Sequence, residues 1–227
     1  MNWISLSSVE FEAITLSLWV AMVSVMISLP AATAVAHLLA RRQFWGHGLV
    51  NALVHLPLVM PPVVTGYVLL VAFGRKGIFG PVLEVFGFQL AFTSAGAALA
   101  AAVMAFPLIV RSIRLAIEAV DPKLEEAAST LGASPLNVFA YVTLPNILPG
   151  ILAGSVVGFA KAFGEFGATI TFVSSIPGET QTIASAIYAF LQVPGEEASV
   201  LRLIGVSIFL SFGALVLSEF LARKMVR

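Results

Sequence analysis

The chain has 227 residues, of which 59% are hydrophobic and 11% charged, with a mean hydropathy of +1.00. Soluble domains carry roughly 45–50% apolar and about 25% charged residues, so an aqueous home is excluded and an all-α membrane protein is expected. Twelve Lys/Arg balance twelve Asp/Glu, which leaves no basic excess for nucleic acid, and the lack of cysteine removes disulfides, thiolate metal sites and cysteine nucleophiles.

The N-terminal MNWISLSSVEFE carries Glu10 and Glu12 but no Lys or Arg. It lacks the basic start of a cleavable signal peptide, so the first helix is expected to remain. A spanning helix needs about 20 mostly apolar residues to cross a hydrocarbon core of about 30 Å. Five segments qualify, 13–40, 49–73, 90–110, 147–172 and 200–222, within one membrane domain over 10–222. The second contains HLPLVMPPVV, whose Pro57, Pro61 and Pro62 each remove a helix donor. That helix must bend or break, either as a kink absorbed by its neighbours or as a broken helix beside a pathway. The stretch QTIASAIYAFLQ, 181–192, is apolar but too short to cross, and reads as a re-entrant or interfacial helix on the outer side.

Five spans separate the termini. With the N-terminus outside, Arg41, Arg42, Arg111, Arg114, Lys123, Arg223, Lys224 and Arg227 collect on the cytoplasmic side, against only Arg75 and Lys76 clearly outside. The positive-inside bias therefore predicts an outer N-terminus and a cytoplasmic C-terminus, with Trp3 and Trp19 in the outer aromatic belt and Trp45 in the inner one.

Between the third and fourth spans, Asp121 is placed to cap a helix, Pro122 to take its first position and Gly132 to end it in the left-handed conformation. A second helix follows, capped by Ser134 and begun by Pro135, with Leu136, Phe139, Ala140 and Thr143 on one face until Pro145 ends it. Small Ala127 and Ala128 beside apolar Leu124, Leu131, Leu136 and Phe139 suit docking into a partner's groove.

The spacing Glu126-Ala127-Ala128, three residues, Gly132, nine residues, Val142-Thr143-Leu144-Pro145 resembles the EAA signature of type I ABC-importer permeases. The resemblance implies a type I importer transmembrane domain in which residues 121–145 form a cytoplasmic coupling module. Leu124, Glu125, Glu126, Ala127, Ala128, Leu131 and Gly132 would meet the cleft of a separate ATP-binding subunit. It further implies a homodimer of this chain, two ATP-binding subunits and a periplasmic oxyanion-binding protein, in a bacterial inner membrane. These 227 residues contain no G-x-x-x-x-G-K-[ST] loop. ATP and magnesium are accordingly expected on the partner, with no cofactor and no catalytic role in this chain. No appended cytoplasmic domain is expected after Arg227, so any trans-inhibition domain is expected in another chain.

Charges inside a span usually mark a pathway, a relay or an internal pair. Lys161 and Glu165 lie four residues apart on one face of the fourth span. Either they neutralise each other, or Lys161 offers positive potential to an anion while Glu165 braces helices or a gate. Gly164 and Gly167 thin the helix beside them. A dianion in a bilayer needs hydroxyls, N–H groups or positive charge in place of water. Thr65 and Pro62 at the proline break, and Thr169 with Thr171, Ser174 and Ser175, are the pathway candidates, although each hydroxyl alone also suits a helix–helix hydrogen bond.

GEFGAT resembles permeases for tetrahedral oxyanions, and SSIPGETQTI with HLPLVMPPVVTGYVLL look most like the molybdate permeases, with tungstate and sulfate or thiosulfate as alternatives. A rival class is an ion-coupled secondary transporter with Glu165 as proton relay, which five spans and no visible inverted repeat oppose. A membrane-embedded enzyme would need a catalytic constellation that the core charges do not supply. His37 and His55 read as packed or interfacial, and Glu179, Glu196 and Glu197 as a solvated outer face.

Overall fold

The structure is a computed structural model that describes residues 6–225. Trp3 and Arg227 lie outside the described residues, as do the side chains of Arg223 and Lys224. Among the described residues the chain is helical with connecting turns. In order the helices are α1 (Ser8–Arg41), α2 (His47–Val59), α3 (Pro62–Phe73), α4 (Gly80–Val85), α5 (Ser94–Ala119), α6 (Pro122–Thr130), α7 (Pro135–Val138), α8 (Leu144–Phe163), α9 (Gly167–Val173), α10 (Ile183–Phe190) and α11 (Glu197–Met225). Four stretches are long and apolar enough to cross a membrane: α1, α5, Pro135–Phe163 and α11. A fifth crossing results when the bent pair α2 and α3 is counted as one span. The all-helical membrane fold expected from composition is thus present.

The core is a sandwich of α1, α5 and α8, with α5 in the middle. Lipid gives apolar helices no hydrophobic reason to associate, so close packing between small residues must do it. Small residues are buried on both helices, Ala97, Ala98, Ala101 and Ala105 on α5 and Ala21, Ala32 and Ala36 on α1. Ser24 on α1 donates to the Ala98 carbonyl at 2.8 Å and to its own Val20 carbonyl at 2.6 Å. Toward α8 the spacing is tighter. Gly150, Gly154 and Gly158 recur every fourth residue on α8 and face α5. A Cβ on Gly150 would collide with Ala116, and one on Gly158 would lie 2.6 Å from Ile109. Ser112 crosses the same seam to the Gly150 carbonyl at 3.1 Å.

Ser7 and Glu10 form a capping box at the start of α1, with Ser7 N–H donating to the Glu10 carboxylate at 2.6 Å. Glu10 is fully buried and pairs with Arg202 of α11 at 2.9 Å. This contact staples the first and last spans together. The short α10 is fastened to α1 by its own first turn, where Ile183 N–H donates to Ser17 at 2.7 Å.

Of the two readings left open at the prolines the broken helix is the one present, and two other local features differ from the sequence expectation. The second span turns by 114° between α2 and α3, well past a proline kink, because Pro61 and Pro62 in succession remove the donors that would carry the helix on. The fourth span, expected as one helix over 147–172, breaks after Phe163 and restarts at Gly167. Pro145 does not end the second helix of the 121–145 stretch. A π-helical turn, Phe139–Thr143, carries α7 into α8, and its wider bore relieves the clash of the proline ring with the carbonyl four residues back.

The two half-helices α3 and α9 pack on each other. An added Cβ on Gly66 would sit 2.5 Å from the Ala168 carbonyl oxygen and 2.8 Å from Thr171 Cβ, both fixed atoms. Gly66→Ala is expected to destabilise the protein by about 1–3 kcal/mol through overpacking. Gly205→Ala on α11, where nothing lies within 4 Å, is the control and should leave the melting temperature in detergent unchanged or slightly raised.

Candidate functional site

The 121–145 stretch folds by local chemistry alone. Asp121 Oδ1 accepts the Lys123 N–H at 3.0 Å, and Pro122 occupies the first helical position of α6. At the other end Gly132 adopts φ +87°, which lets Gly132 N–H reach the Ser129 carbonyl at 3.0 Å and Ala133 N–H the Ala128 carbonyl at 3.1 Å. This pair of bonds is a Schellman cap. Ser134 then accepts the Asn137 N–H at 3.4 Å to start α7.

The outer surface of this module is apolar and unpartnered. Leu124 is 50% exposed, Leu131 88%, Leu136 76% and Tyr141 79%. Glu126 and Ala127 are exposed beside them and Ala128 is half-buried. Two residues placed on that surface by sequence turn inward instead. Phe139 packs edge-on against His37 with ring centroids 5.2 Å apart. Glu125 faces Arg41 at the end of α1 and accepts from Thr143 in the π-turn at 2.7 Å. Tyr141, which the sequence reading passed over, joins the outward face.

About five turns of helix away lies the second constellation. Glu165 falls in the gap between α8 and α9 and is 2% exposed. One carboxylate oxygen receives Lys161 Nζ at 2.6 Å, and the other accepts the Ala168 N–H at 3.0 Å. The carboxylate therefore serves as the cap that the first turn of α9 needs inside a bilayer, while Lys161 occupies its other oxygen. The Lys161 side chain remains 30% exposed against 1% for Glu165. An ammonium has three donors, and Glu165 is the one hydrogen-bond partner of Lys161 among the described residues.

The proline break is brought against the glycine break. An added Cβ on Gly167 would lie 2.7 Å from Pro62 Cβ, so the first residue of α9, two positions after Glu165, packs on the start of α3. The hydroxyl candidates divide. Thr169 donates to the Phe166 carbonyl at 2.9 Å, and Thr171 to the Gly167 carbonyl at 2.8 Å, so both are engaged by their own helix. Ser175 accepts from Gln181 at 3.3 Å, and Ser174 takes the left-handed backbone at φ +65°. Thr65 is 5% exposed and its hydroxyl has no partner among the described residues.

Comparison with known proteins decides the family. Residues 25–227 match the family described as binding-protein-dependent transport system inner membrane component. The chain belongs to this family. It is 56% identical over 217 residues to the molybdenum transport system permease protein ModB of Haemophilus influenzae, covering 95% of each chain. Identity to the sulfate transport system permease protein CysW of Synechococcus elongatus is 39% over 172 residues, covering 76% of this chain and 60% of that one. The fold resembles a bacterial ABC transporter involved in alginate import, with a TM-score of 0.74 at 18% identity over 98% of this chain and 82% of that one. This permease is therefore a multi-pass inner-membrane transport component.

The Lys161–Glu165 pair makes an unequal prediction for its members. Lys161→Met strands a buried carboxylate and should destabilise the permease by about 3–5 kcal/mol, whereas the double change Lys161→Met with Glu165→Gln should recover much of that loss. Thermal unfolding of the purified variants checks the order.

Proposed function

We propose that this permease is the membrane-spanning subunit of an ATP-driven importer that carries molybdate inward by alternating access. High identity to a molybdate permease across nearly the whole chain carries this reading, against lower and shorter identity to a sulfate permease. Tungstate shares molybdate's charge and tetrahedral shape and is the expected second substrate.

In this reading the end bearing Arg41, Arg42, Arg111, Arg114 and Lys123 is cytoplasmic and the Glu10–Arg202 end is periplasmic. The exposed face of Leu124, Glu126, Ala127, Leu131 and Leu136 seats in a cleft of an ATP-binding subunit, which supplies ATP, magnesium and hydrolysis. Two copies of this chain pair about the pathway, and a periplasmic binding protein delivers the anion. Closure of the two ATP-binding subunits draws the modules together and opens the path outward, and hydrolysis resets it inward.

The anion passes the joint of the two helix breaks. Lys161, half free of Glu165, offers charge, and the neighbouring Pro62, Thr65, Gly164 and Thr169 shape the passage. Weak contacts suffice, because capture belongs to the binding protein.

Two experiments test the reading. A cysteine at Ala127 in the assembled importer is expected to crosslink to the ATP-binding subunit, and its failure to do so removes the docking assignment. Uptake of radiolabelled molybdate by the Lys161→Met/Glu165→Gln double variant is expected to fall roughly tenfold, the scale of one hydrogen bond to a charged group. Unchanged uptake takes Lys161 out of the pathway.

A further inference from the structure

No residue of α6 is buried; its one leucine, Leu124, is half exposed, and the capping Leu131 is 88% exposed. A helix with no core of its own must be held by something else if a push on it is to reach the membrane. The structure offers one side-chain fastening from its middle, at Glu125. Arg41 Nη2 donates to Glu125 Oε1 at 3.3 Å, while Arg41 Nε lies 3.0 Å from Oε2 as an ion-pair contact off the hydrogen-bond axis. Thr143, fully buried in the π-turn, donates to the same carboxylate at 2.7 Å. Arg41 Nη2 also donates to the Val120 carbonyl at 3.0 Å, which fixes the joint where α5 passes into α6.

The fastening is shielded, with side-chain exposures of 14% for Arg41 and 17% for Glu125. Screening that makes surface pairs weak is thereby reduced. It also joins three elements: α6 through Glu125, the end of α1 through Arg41, and the head of α8 through Thr143. From Thr143 the helix runs on to Lys161, about 27 Å at the rise of an α-helix.

We propose that Glu125 is a positioning residue that transmits movement of the docked α6 into α1 and α8, through Arg41 and Thr143, while its neighbour Glu126 faces the ATP-binding subunit. Adjacent carboxylates thus divide the work, one gripping the motor and the other gripping the permease. This inference rests on the docking assignment made under Proposed function.

The test uses the complete importer, permease with its ATP-binding subunit and binding protein, in proteoliposomes. Phosphate release and uptake of radiolabelled molybdate are measured together, and their ratio gives ions imported per ATP. Glu125→Gln and Thr143→Val are expected to keep the ATP-binding subunit bound and phosphate release near wild type, while the ratio falls roughly tenfold, within the usual range of a coupling free energy. Thr143→Ser restores the hydroxyl and should restore the ratio, which a loss of packing alone would not do. Wild-type ratios in both Glu125→Gln and Thr143→Val overturn the proposal and leave the docking reading standing. If Glu125→Gln fails to assemble, the Thr143→Val and Thr143→Ser pair decides, since neither changes charge. A wild-type permease that does not bind the ATP-binding subunit sinks the docking reading itself.

Discussion

Helices immersed in hydrocarbon are held by how closely they can approach, because lipid is as apolar as their side chains. Here the approach is set by the missing side chains of α8. Gly150, Gly154 and Gly158 let that helix lie against α5 with no room for even a methyl group at two of the three positions. The seam fixes the register of α8 along its length, and Ser112 ties it with a hydrogen bond to backbone. Because α8 begins at the π-turn of the 121–145 module and ends at Phe163, two residues before Glu165, the same seam sets the distance between the two candidate sites. Neither could be displaced along α8 without dragging the other.

A second regularity governs the charges. Each of three shielded carboxylates receives one cation and one neutral donor. Glu10 has Arg202 and the Ser7 N–H, Glu165 has Lys161 and the Ala168 N–H, and Glu125 has Arg41 and the Thr143 hydroxyl. A carboxylate taken from water is tolerated when both its charge and its remaining lone pairs are answered. All three also fasten helix ends: Glu10 the start of α1, Glu165 the start of α9, and Glu125, from within α6, the end of α1 and the head of α8. They hold ends in place where glycine packing, which needs long parallel faces, cannot.

How much of this was legible depends on the range of the interaction. The caps of the 121–145 module were read correctly at Asp121, Pro122, Gly132 and Ser134, since each acts within four residues of itself. The bend at Pro61 and Pro62 was legible for the same reason, though its angle was not. Glu125 and Glu126 are indistinguishable in sequence. Their opposite facing follows from Arg41, 84 positions earlier in the chain. The Glu10–Arg202 pair spans 192 positions and was missed, although the Ser7-x-x-Glu10 capping box announced half of it. The break at Gly164–Phe166 was hidden because hydropathy stays high on both sides of it, and hydropathy does not record that a carboxylate can stand in for a helical carbonyl. The glycines of α8 were the plainest missed signal, since their four-residue spacing was there to be counted.

Rigidity is unevenly distributed, and the distribution matches the work proposed for the permease. The α5–α8 seam has no slack, so it moves as one piece. Beyond the break, α9 is joined to α8 through Gly164–Phe166 and the Glu165 carboxylate, while it packs on α3 at Gly66 and Gly167 and on α5, where an added Cβ on Gly96 would lie 2.9 Å from Val173. The two half-helices are therefore packed on each other across two breaks in the chain. A displacement entering at α6 and carried along α8 would meet, at Glu165, a joint where a carboxylate and not a helical carbonyl receives the Ala168 N–H. An ion pair at such a joint tolerates a change of angle that a continuous helix does not, because a charge interaction falls off slowly with geometry and a helical hydrogen bond steeply. On this view Glu165 is buried for a mechanical reason, and the cation that offsets its burial is the more exposed member of the pair.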